Sequence, residues 1–240
     1  MGYGYYGYGY GMDWTYILVL IGALICMISS AKVKSTFKKY SRVRSSSGLT
    51  GCEVAQMILK SEGIYDVTVR ACSGELTDHF DPASKTVNLS DSVYSSTSVA
   101  ALGVAAHECG HAMQHNEGYE PLKIRSALVP VANFGSKFGL PIILVGFFFS
   151  MFHALVPIGI ILFSAGVAFQ IATLPVEFDA SRRALEKISS MQLVAAGPEY
   201  EGSKSVLKSA AMTYVASAAA AILTLIRLIL IFGGRGKRRD

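Results

Sequence analysis

The chain has 240 residues, of which 51% are hydrophobic and only 16% are charged. Soluble domains carry roughly 25% charged residues, so this composition excludes an ordinary soluble globular protein and indicates membrane-spanning segments. The net charge of +5 would suit a nucleic-acid partner, but the basic residues lie beside apolar blocks, and no nucleic-acid partner is expected. The four cysteines form no Cys-x-x-Cys pair, which favours a reduced compartment without disulfides.

Four apolar segments predict four membrane helices, with the lipid bilayer as their surroundings. The first is 14–31, which lacks a basic region before it and is interpreted as a retained anchor rather than a signal peptide. Residues 138–174 carry no charge and are too long for one span, which predicts a two-helix hairpin that turns near 153–157. The fourth segment is 210–232. Terminal tails flank these segments, a Gly/Tyr-rich tail at 1–13 that is predicted to be disordered and a basic tail at 233–240.

Basic residues cluster at one end of the predicted helices. Cytoplasmic ends of membrane helices are enriched in lysine and arginine, so these ends are predicted to face the cytoplasm. A hairpin returns the chain to the side that it left, which predicts that 32–125 and 175–208 lie on the same cytoplasmic face. The basic residues follow the first helix and flank the hairpin: Lys32, Lys34, Lys38, Lys39, Arg42, Arg44, Lys123, Arg125, Lys137, Arg182, Arg183 and Lys187.

The segment 32–125 is predicted to form a small α+β domain. Thr50 and Glu53 have the spacing of a capping box, which predicts a helix over about 51–62. Alternation of apolar and polar residues predicts strands at 65–72 and 85–90. A final helix over about 98–117 carries the motif His-Glu-x-x-His. Its other residues are small and apolar, so the helix is expected to be buried, with no further polar residue on its buried face.

The His-Glu-x-x-His motif predicts a catalytic zinc site. His107 and His111 are one helical turn apart on one face and can bind a single Zn²⁺. Glu108 lies one position along and is predicted to act as the general base that takes a proton from the attacking water. The alternative is a pair of core histidines with satisfied hydrogen bonds.

A catalytic zinc usually has three protein ligands, so one further ligand is expected elsewhere in the chain. His115 lies eight residues beyond His107, about 12 Å along a helix, and Cys109 lies about 200° around the helix from His107. Both are therefore excluded as ligands. After the hairpin, Pro175 suits a helix start, and the next carboxylates are Glu177 and Asp179. Only one of the two can face the metal if the segment is helical, and Glu177 is preferred to Asp179.

Five segments follow one another in a distinctive order: LTDHFDP, KTVNLS, VAAHECGHAMQH, KIRSALVPVANFGS and LPVEFDASRRAL. Together they resemble the YugP-like family of bacterial membrane proteins, which are classed as neutral zinc metallopeptidases. The resemblance covers about Tyr16 to Phe232 and implies an integral zinc endopeptidase of the bacterial plasma membrane. The chain is more distantly similar to the HtpX and CAAX-protease type, in which a glutamate on a later helix completes the zinc site. An aspartate stands four residues after that glutamate in those relatives, whereas this chain has Ser181 there.

The predicted fold is a mainly α membrane protein with about four transmembrane helices and a small α+β zincin-like cytoplasmic domain that carries the His-Glu-x-x-His helix. Protein or peptide substrates are expected, including membrane or misfolded proteins. KTVNLS is the candidate edge strand along which a substrate could pair. Asp78 and His79 are interpreted as turn-stabilising groups that could alternatively hydrogen-bond near the site. Tyr214 is interpreted as an interfacial tyrosine that could alternatively donate to an oxyanion. Two other functions stay open: a membrane scaffold with a structural zinc, and a protease that cleaves within the bilayer.

Overall fold

The structure is a computed structural model that describes residues 13–152 and 154–232. The predicted disordered tail, apart from Asp13, and the predicted basic tail lie outside the described residues. The elements, in chain order, are α1 (Tyr16–Tyr40), α2 (Gly51–Ser61), β1 (Thr68–Cys72), β2 (His79–Asp81), β3 (Thr86–Ser90), α3 (Asp91–Tyr94), α4 (Val99–Glu117), α5 (Glu120–Phe148), a short 3-10 turn (Ser150–Phe152), α6 (Leu155–Ser190) and α7 (Pro198–Phe232).

Four of the helices are long and apolar enough to cross a membrane, in the part of the chain that the structure describes: α1, α5, α6 and α7. They pack in the order α1, α7, α6, α5, with each helix against the next. Glycines permit the closest approaches, because a Cβ on Gly135 of α5 would overlap the carbonyl group of Leu162 in α6. The fold is mostly helical, with a small sheet beside the long helices.

The long helices extend well beyond the apolar runs that predicted them. Helix α5 begins at Glu120 and α6 continues to Ser190, so both reach into charged sequence on the same side. Pro175 lies inside α6, and the prediction that a helix starts at this proline is wrong. A proline removes one backbone hydrogen bond, but α6 has 36 residues and packs against α4, α5 and α7, which hold it on both sides of Pro175.

The sheet has three strands in the order β1-β3-β2. Strand β3 pairs in parallel with β1 and antiparallel with β2. The prediction that KTVNLS forms the edge of the sheet is therefore wrong, since β3 is the central strand. Alternation of side chains along a strand reports which residues are buried, not how many neighbours the strand has. The short strand β2, in a segment predicted to be a turn, is an edge strand instead.

The main buried core lies between the sheet, α2 and α4, and it also includes residues of α6 and α7. The capping box predicted at the start of α2 is confirmed, because the Thr50 hydroxyl accepts from Glu53 N and the Glu53 carboxylate accepts from Thr50 N. The apolar face of α2 packs on α4, where Val54, Ile58 and Leu102 are fully buried. Helix α4 also contacts α6 and α7, so it joins the sheet and α2 to the long helices.

Candidate metal centre

Helix α4 holds the two histidines of the motif in a fixed relation. The helix starts at a cap in which the Ser98 hydroxyl accepts from Ala101 N at 3.2 Å. It ends where Gly118 adopts a left-handed conformation with φ of 66°, which a glycine adopts without strain. Between these caps the rings of His107 and His111 lie with centroids 4.7 Å apart and planes at 80°. Both Nε2 atoms are thus available on one side of the helix.

A glycine inside the motif lets α6 come close to α4. A Cβ added to Gly110 would lie 2.6 Å from the carbonyl oxygen of Ala180, a distance that real side chains do not tolerate. This contact places the neighbouring turn of α6, which contains Glu177, against the two histidines. Oε2 of Glu177 lies 3.4 Å from Nε2 of His107 and 3.6 Å from Nε2 of His111. His107, His111 and Glu177 therefore form a group whose ligand atoms are all within 4.8 Å of one another.

The donor atoms of this group fit a zinc ion. Ligand atoms about 2.0 to 2.1 Å from one tetrahedral ion are about 3.3 Å apart, close to the distances from Glu177 to the two histidines. The Oε2 atom of Glu177 is also buried and accepts no hydrogen bond from any residue that the structure describes, and a buried carboxylate oxygen without a partner is costly. A metal ion would supply the missing partner. Two imidazoles and one carboxylate are a donor set typical of catalytic zinc, with a fourth position left for water.

The remaining nitrogen of each histidine has its own partner. His111 Nδ1 lies 3.1 Å from Oε1 of Gln114. The Gln114 amide nitrogen donates to Val176 O at 2.8 Å and to the Asp179 carboxylate at 3.0 Å, so its Oε1 must be the acceptor from His111. His111 therefore carries its proton on Nδ1 and presents the lone pair of Nε2. His107 Nδ1 lies 3.2 Å from the Ser181 hydroxyl.

Gln114 corrects one expectation about α4. It is fully buried on the face that was predicted to hold no polar residue besides the motif. The residue lies three positions after His111 and seven after His107, which places all three on the same face. Its amide nitrogen donates from α4 to α6. The cost of burying this glutamine is offset because its amide oxygen and amide nitrogen both have hydrogen-bond partners.

The structure separates the two carboxylates that the sequence left as alternatives. Asp179 does not join the histidine group but accepts from Gln114, from Arg182 at 2.5 Å and from Arg183 at 2.6 Å. Arg183 also donates to Glu117 at 2.8 Å. Asp179 thus ties the end of α4 to α6 from behind the histidines, while Glu177 faces them.

Charge and burial around the histidines have opposite effects on the pKa of His111. Burial by itself would lower the pKa of His111, but the Glu177 carboxylate beside it and the charge of Glu108 raise that pKa above its usual value. The site therefore attracts positive charge before any ion is considered.

On the other face of α4, Cys109 is fully buried with its Sγ directed to Ala55 O at 3.5 Å, and burial raises the pKa of this thiol.

The histidine group opens into a cavity of about 720 Å³. Glu108 is only 7% exposed, yet it lines this cavity together with Tyr214 of α7. His115 also lines it, stacked at a tilt on Phe80 with centroids 5.7 Å apart, well separated from the Glu177 group. The full lining is Asp78, His79, Phe80, Pro82, His107, Glu108, His111, Gln114, His115, Gly118, Tyr119, Leu122, Lys123, Arg125, Ser126, Val129, Glu177 and Tyr214.

The chain matches a known family over almost its whole length. The family described as "Putative neutral zinc metallopeptidase" covers residues 15–233. The chain belongs to this family. It is also 45% identical over 218 residues to the "Putative membrane protease YugP" of Bacillus subtilis (strain 168), which spans 90% of this chain and 96% of that protein. No solved structure matches the chain. The resemblance seen in the sequence is confirmed, and within this zinc metallopeptidase family zinc is the metal that the histidine and glutamate group is expected to hold.

Asp78 and Tyr214 line the cavity, which the preferred interpretations of the sequence did not predict. Asp78, interpreted as turn-stabilising, accepts from Ser90 N at 2.7 Å and from the Ser90 hydroxyl, and burial raises its pKa. It stabilises the end of β3 and also lines the cavity. Tyr214, whose interfacial interpretation was preferred, lies in the cavity with Glu108 and Glu177. No spacing rule links α7 to the motif, so only the packing of α7 on α4 and α6 could reveal this.

Arg125 and Ser181 were also not recognised as parts of the site. The sequence indicates Arg125 only as one of the basic residues that flank the hairpin, whereas the structure places it in the cavity wall. Ser181 was noted only because it stands where more distant relatives have an aspartate, yet its hydroxyl is the group that contacts His107 Nδ1. A signal for Ser181 was its position four residues after Glu177, on the same helical face.

Proposed function

We propose that this protein is a membrane-bound zinc endopeptidase whose metal ligands are His107, His111 and Glu177. The observation that carries the proposal is the buried Oε2 of Glu177, which accepts no hydrogen bond within the described part of the chain and lies 3.4 Å and 3.6 Å from the two histidine nitrogens. Membership of the zinc metallopeptidase family supports zinc as the ion. The neighbouring cavity of about 720 Å³ is large enough for several residues of a peptide.

Each residue of the site has a role in peptide hydrolysis under this proposal. A bound zinc ion would supply Lewis acidity toward the scissile carbonyl and lower the pKa of a water molecule. Glu108 takes the proton of the attacking water and passes it to the leaving amine, because it lines the cavity one position from His107. Tyr214 donates a hydrogen bond from its hydroxyl to the oxygen that becomes negative in the transition state. Gln114 and Ser181 hold the two imidazole rings in position.

The substrate is proposed to lie along β2. This strand pairs with β3 on one side only, with Phe80 opposite Val87, and its residues His79 and Phe80 line the cavity. An extended peptide that paired with the free edge of β2 would have its backbone hydrogen bonds satisfied there and pass in front of Glu108. The edge-strand hypothesis is thereby retained, but for β2 rather than for the KTVNLS strand.

The site is proposed to face the cytoplasm. Basic residues lie near the ends of the long helices that approach α4: Lys38 and Lys39 in α1, Lys123 in α5, and Lys187 in α6. Lysine and arginine at helix ends favour the cytoplasmic side. Membrane or misfolded proteins are the proposed substrates, since a site at the ends of membrane helices meets chains that emerge from the bilayer.

The decisive test is the Glu108→Gln variant of the full-length protein in detergent. We expect its zinc content, measured by atomic emission, to equal that of the wild type, while proteolysis of a casein substrate falls by about 100-fold or more because the general base is lost. Glu75→Gln is the matched control, since Glu75 is exposed in a loop and should retain full activity. Undiminished proteolysis by Glu108→Gln would exclude the proposed mechanism, and a scaffold with a structural zinc would then be favoured.

A further inference from the structure

One charged side chain of the cavity forms no ion pair with any described residue. Arg125, on the first turns of α5, lines the cavity that contains Glu108 and Tyr214. Its Nε atom is buried without a hydrogen-bond partner. Within residues 13–152 and 154–232, the guanidinium forms neither a hydrogen bond nor an ion pair, whereas Lys123 nearby is paired with Glu120 at 2.7 Å.

The aromatic contact of Arg125 does not neutralise it. The guanidinium carbon lies 6.0 Å from the ring centroid of Phe169 in α6, at the outer limit for a cation–π interaction. Such a contact orients a guanidinium but leaves its positive charge and its N–H groups unsatisfied. Because Nε is sealed from solvent, the terminal Nη groups are the donors that a molecule in the cavity can reach.

The other charges of the cavity already have partners or a role. Asp78 accepts from Ser90, and Glu177 faces the two histidines. With a divalent ion in place, the charges of Glu108 and Glu177 are balanced, and the guanidinium of Arg125 still has no ion-pair partner among the described residues. A cavity with one unpaired, partly dehydrated guanidinium is suited to an anionic group of the substrate, and the planar fork of arginine matches a carboxylate best.

We propose that Arg125 is a specificity residue that binds a carboxylate of the substrate, either the C-terminal carboxylate of a peptide or the side chain of an aspartate or glutamate. This inference rests on the proposed peptidase function, because it assigns the substrate to the same cavity. Carboxylate-bearing peptides are therefore preferred over neutral peptides of the same sequence. The preference comes from an ion pair formed in the cavity and adds no step to the hydrolysis.

The test compares three full-length proteins on matched peptides: the wild type, Arg125→Gln and Lys137→Gln. Lys137 is an exposed cation on the same helix, and its ammonium also lies near a phenylalanine ring, at 5.6 Å from the Phe138 centroid. It is thus a control for loss of one positive charge in α5. Internally quenched peptides that the wild type cleaves are made in three forms: neutral with an amidated end, with a free C-terminal carboxylate, and amidated with glutamate in place of glutamine.

We expect Arg125→Gln to lower kcat/KM by roughly 10- to 100-fold for at least one carboxylate form, as for loss of a charge-assisted hydrogen-bonded pair, and by less than about 3-fold for the neutral form. The form that is affected identifies the source of the carboxylate. Arg125→Lys should restore part of the preference, because it returns the charge without the fork. Lys137→Gln should show no change. An equal loss for all three peptides, or no loss for any, would overturn the proposal.

A binding measurement separates this inference from the peptidase function. In a Glu108→Gln background, which removes the proposed base, isothermal titration calorimetry compares the free-acid and glutamate-containing peptides with the neutral form. The tighter binding of a carboxylate form should disappear when Arg125→Gln is added. Absence of any such advantage overturns the role of Arg125 even if the wild type is an active peptidase. An advantage that depends on Arg125 supports that role even if no peptide is cleaved.

Discussion

Two pairs of helices in this protein cross closely at a glycine, but the residues around the two crossings differ. Helix α1 crosses α7 where a Cβ on Gly22 would lie 3.0 Å from Ala220 Cα, and large apolar side chains such as Leu20 and Met27 are exposed around it. Helix α4 crosses α6 where a Cβ on Gly110 would lie 2.6 Å from a carbonyl oxygen. Around that crossing the buried residues include the polar Glu108, Gln114 and Glu177. A close approach of helices thus supports an apolar membrane contact in one place and a metal centre in the other.

The difference lies in what each crossing must satisfy. At α1 and α7 the backbone hydrogen bonds are internal to the helices and the side chains need only fit. At α4 and α6 the buried Gln114, Glu108 and Glu177 need partners across the interface, so the position of one helix relative to the other is fixed by hydrogen bonds as well as by shape. The second crossing should therefore be far less tolerant of change than the first.

The largest effect is expected for Glu177→Ala. Removing this carboxylate leaves only the two histidines, and we expect purified protein to lose its zinc and all proteolytic activity. Asp179→Ala should keep most of the zinc, because Asp179 faces Gln114, Arg182 and Arg183. Metal analysis of the two variants measures the difference. Loss of zinc only in Asp179→Ala would reverse the assignment of the third ligand.

The two crossing glycines give the next comparison. Gly110→Ala forces the backbone of α4 away from Ala180, and we expect zinc affinity to fall by about 10-fold or more, since overpacking of about 1 to 3 kcal/mol acts directly on the ligands. Gly22→Ala should lower the thermal stability slightly and leave zinc affinity unchanged. Competition with a chelator, together with melting temperature, measures both. Equal zinc affinity in the two variants would show that the α4–α6 spacing does not control the site.

A smaller effect on zinc affinity is expected for substitutions of the two residues that contact the outer nitrogens of the histidines. Gln114→Met keeps the approximate volume but removes the acceptor of His111 and the amide bonds to α6. We expect zinc affinity to fall by about 10-fold, at the lower end of the range for partners of metal-binding histidines. Ser181→Ala, which removes the contact with His107, should cost less, because a lone hydroxyl is the weaker anchor. A chelator titration ranks the two, and indifference to Gln114→Met would argue against its role.

The local parts of the site could be predicted from the sequence. The helical period places His107 and His111 together and excludes Cys109 and His115, since these distances depend only on the 1.5 Å rise and 100° turn of one helix. The capping box of α2 and the apolar content of the long helices are likewise local properties. The charge-free runs, however, predicted the apolar parts of α5 and α6 but not where these helices begin and end. Backbone hydrogen bonding continues into sequence that carries charged side chains.

Contacts between elements were decided by the tertiary structure alone. Which strand is central depends on pairing, so KTVNLS was misplaced at the edge. The positions of Gln114, Tyr214 and Arg125 in the site depend on how α5, α6 and α7 pack around α4. The sequence by itself predicted a membrane protein of the zinc metallopeptidase family, with two of the three residues of its candidate metal centre on one helix. The crossing of α4 and α6 at Gly110 decided the rest, because only a contact of two helices can bring together side chains 66 residues apart.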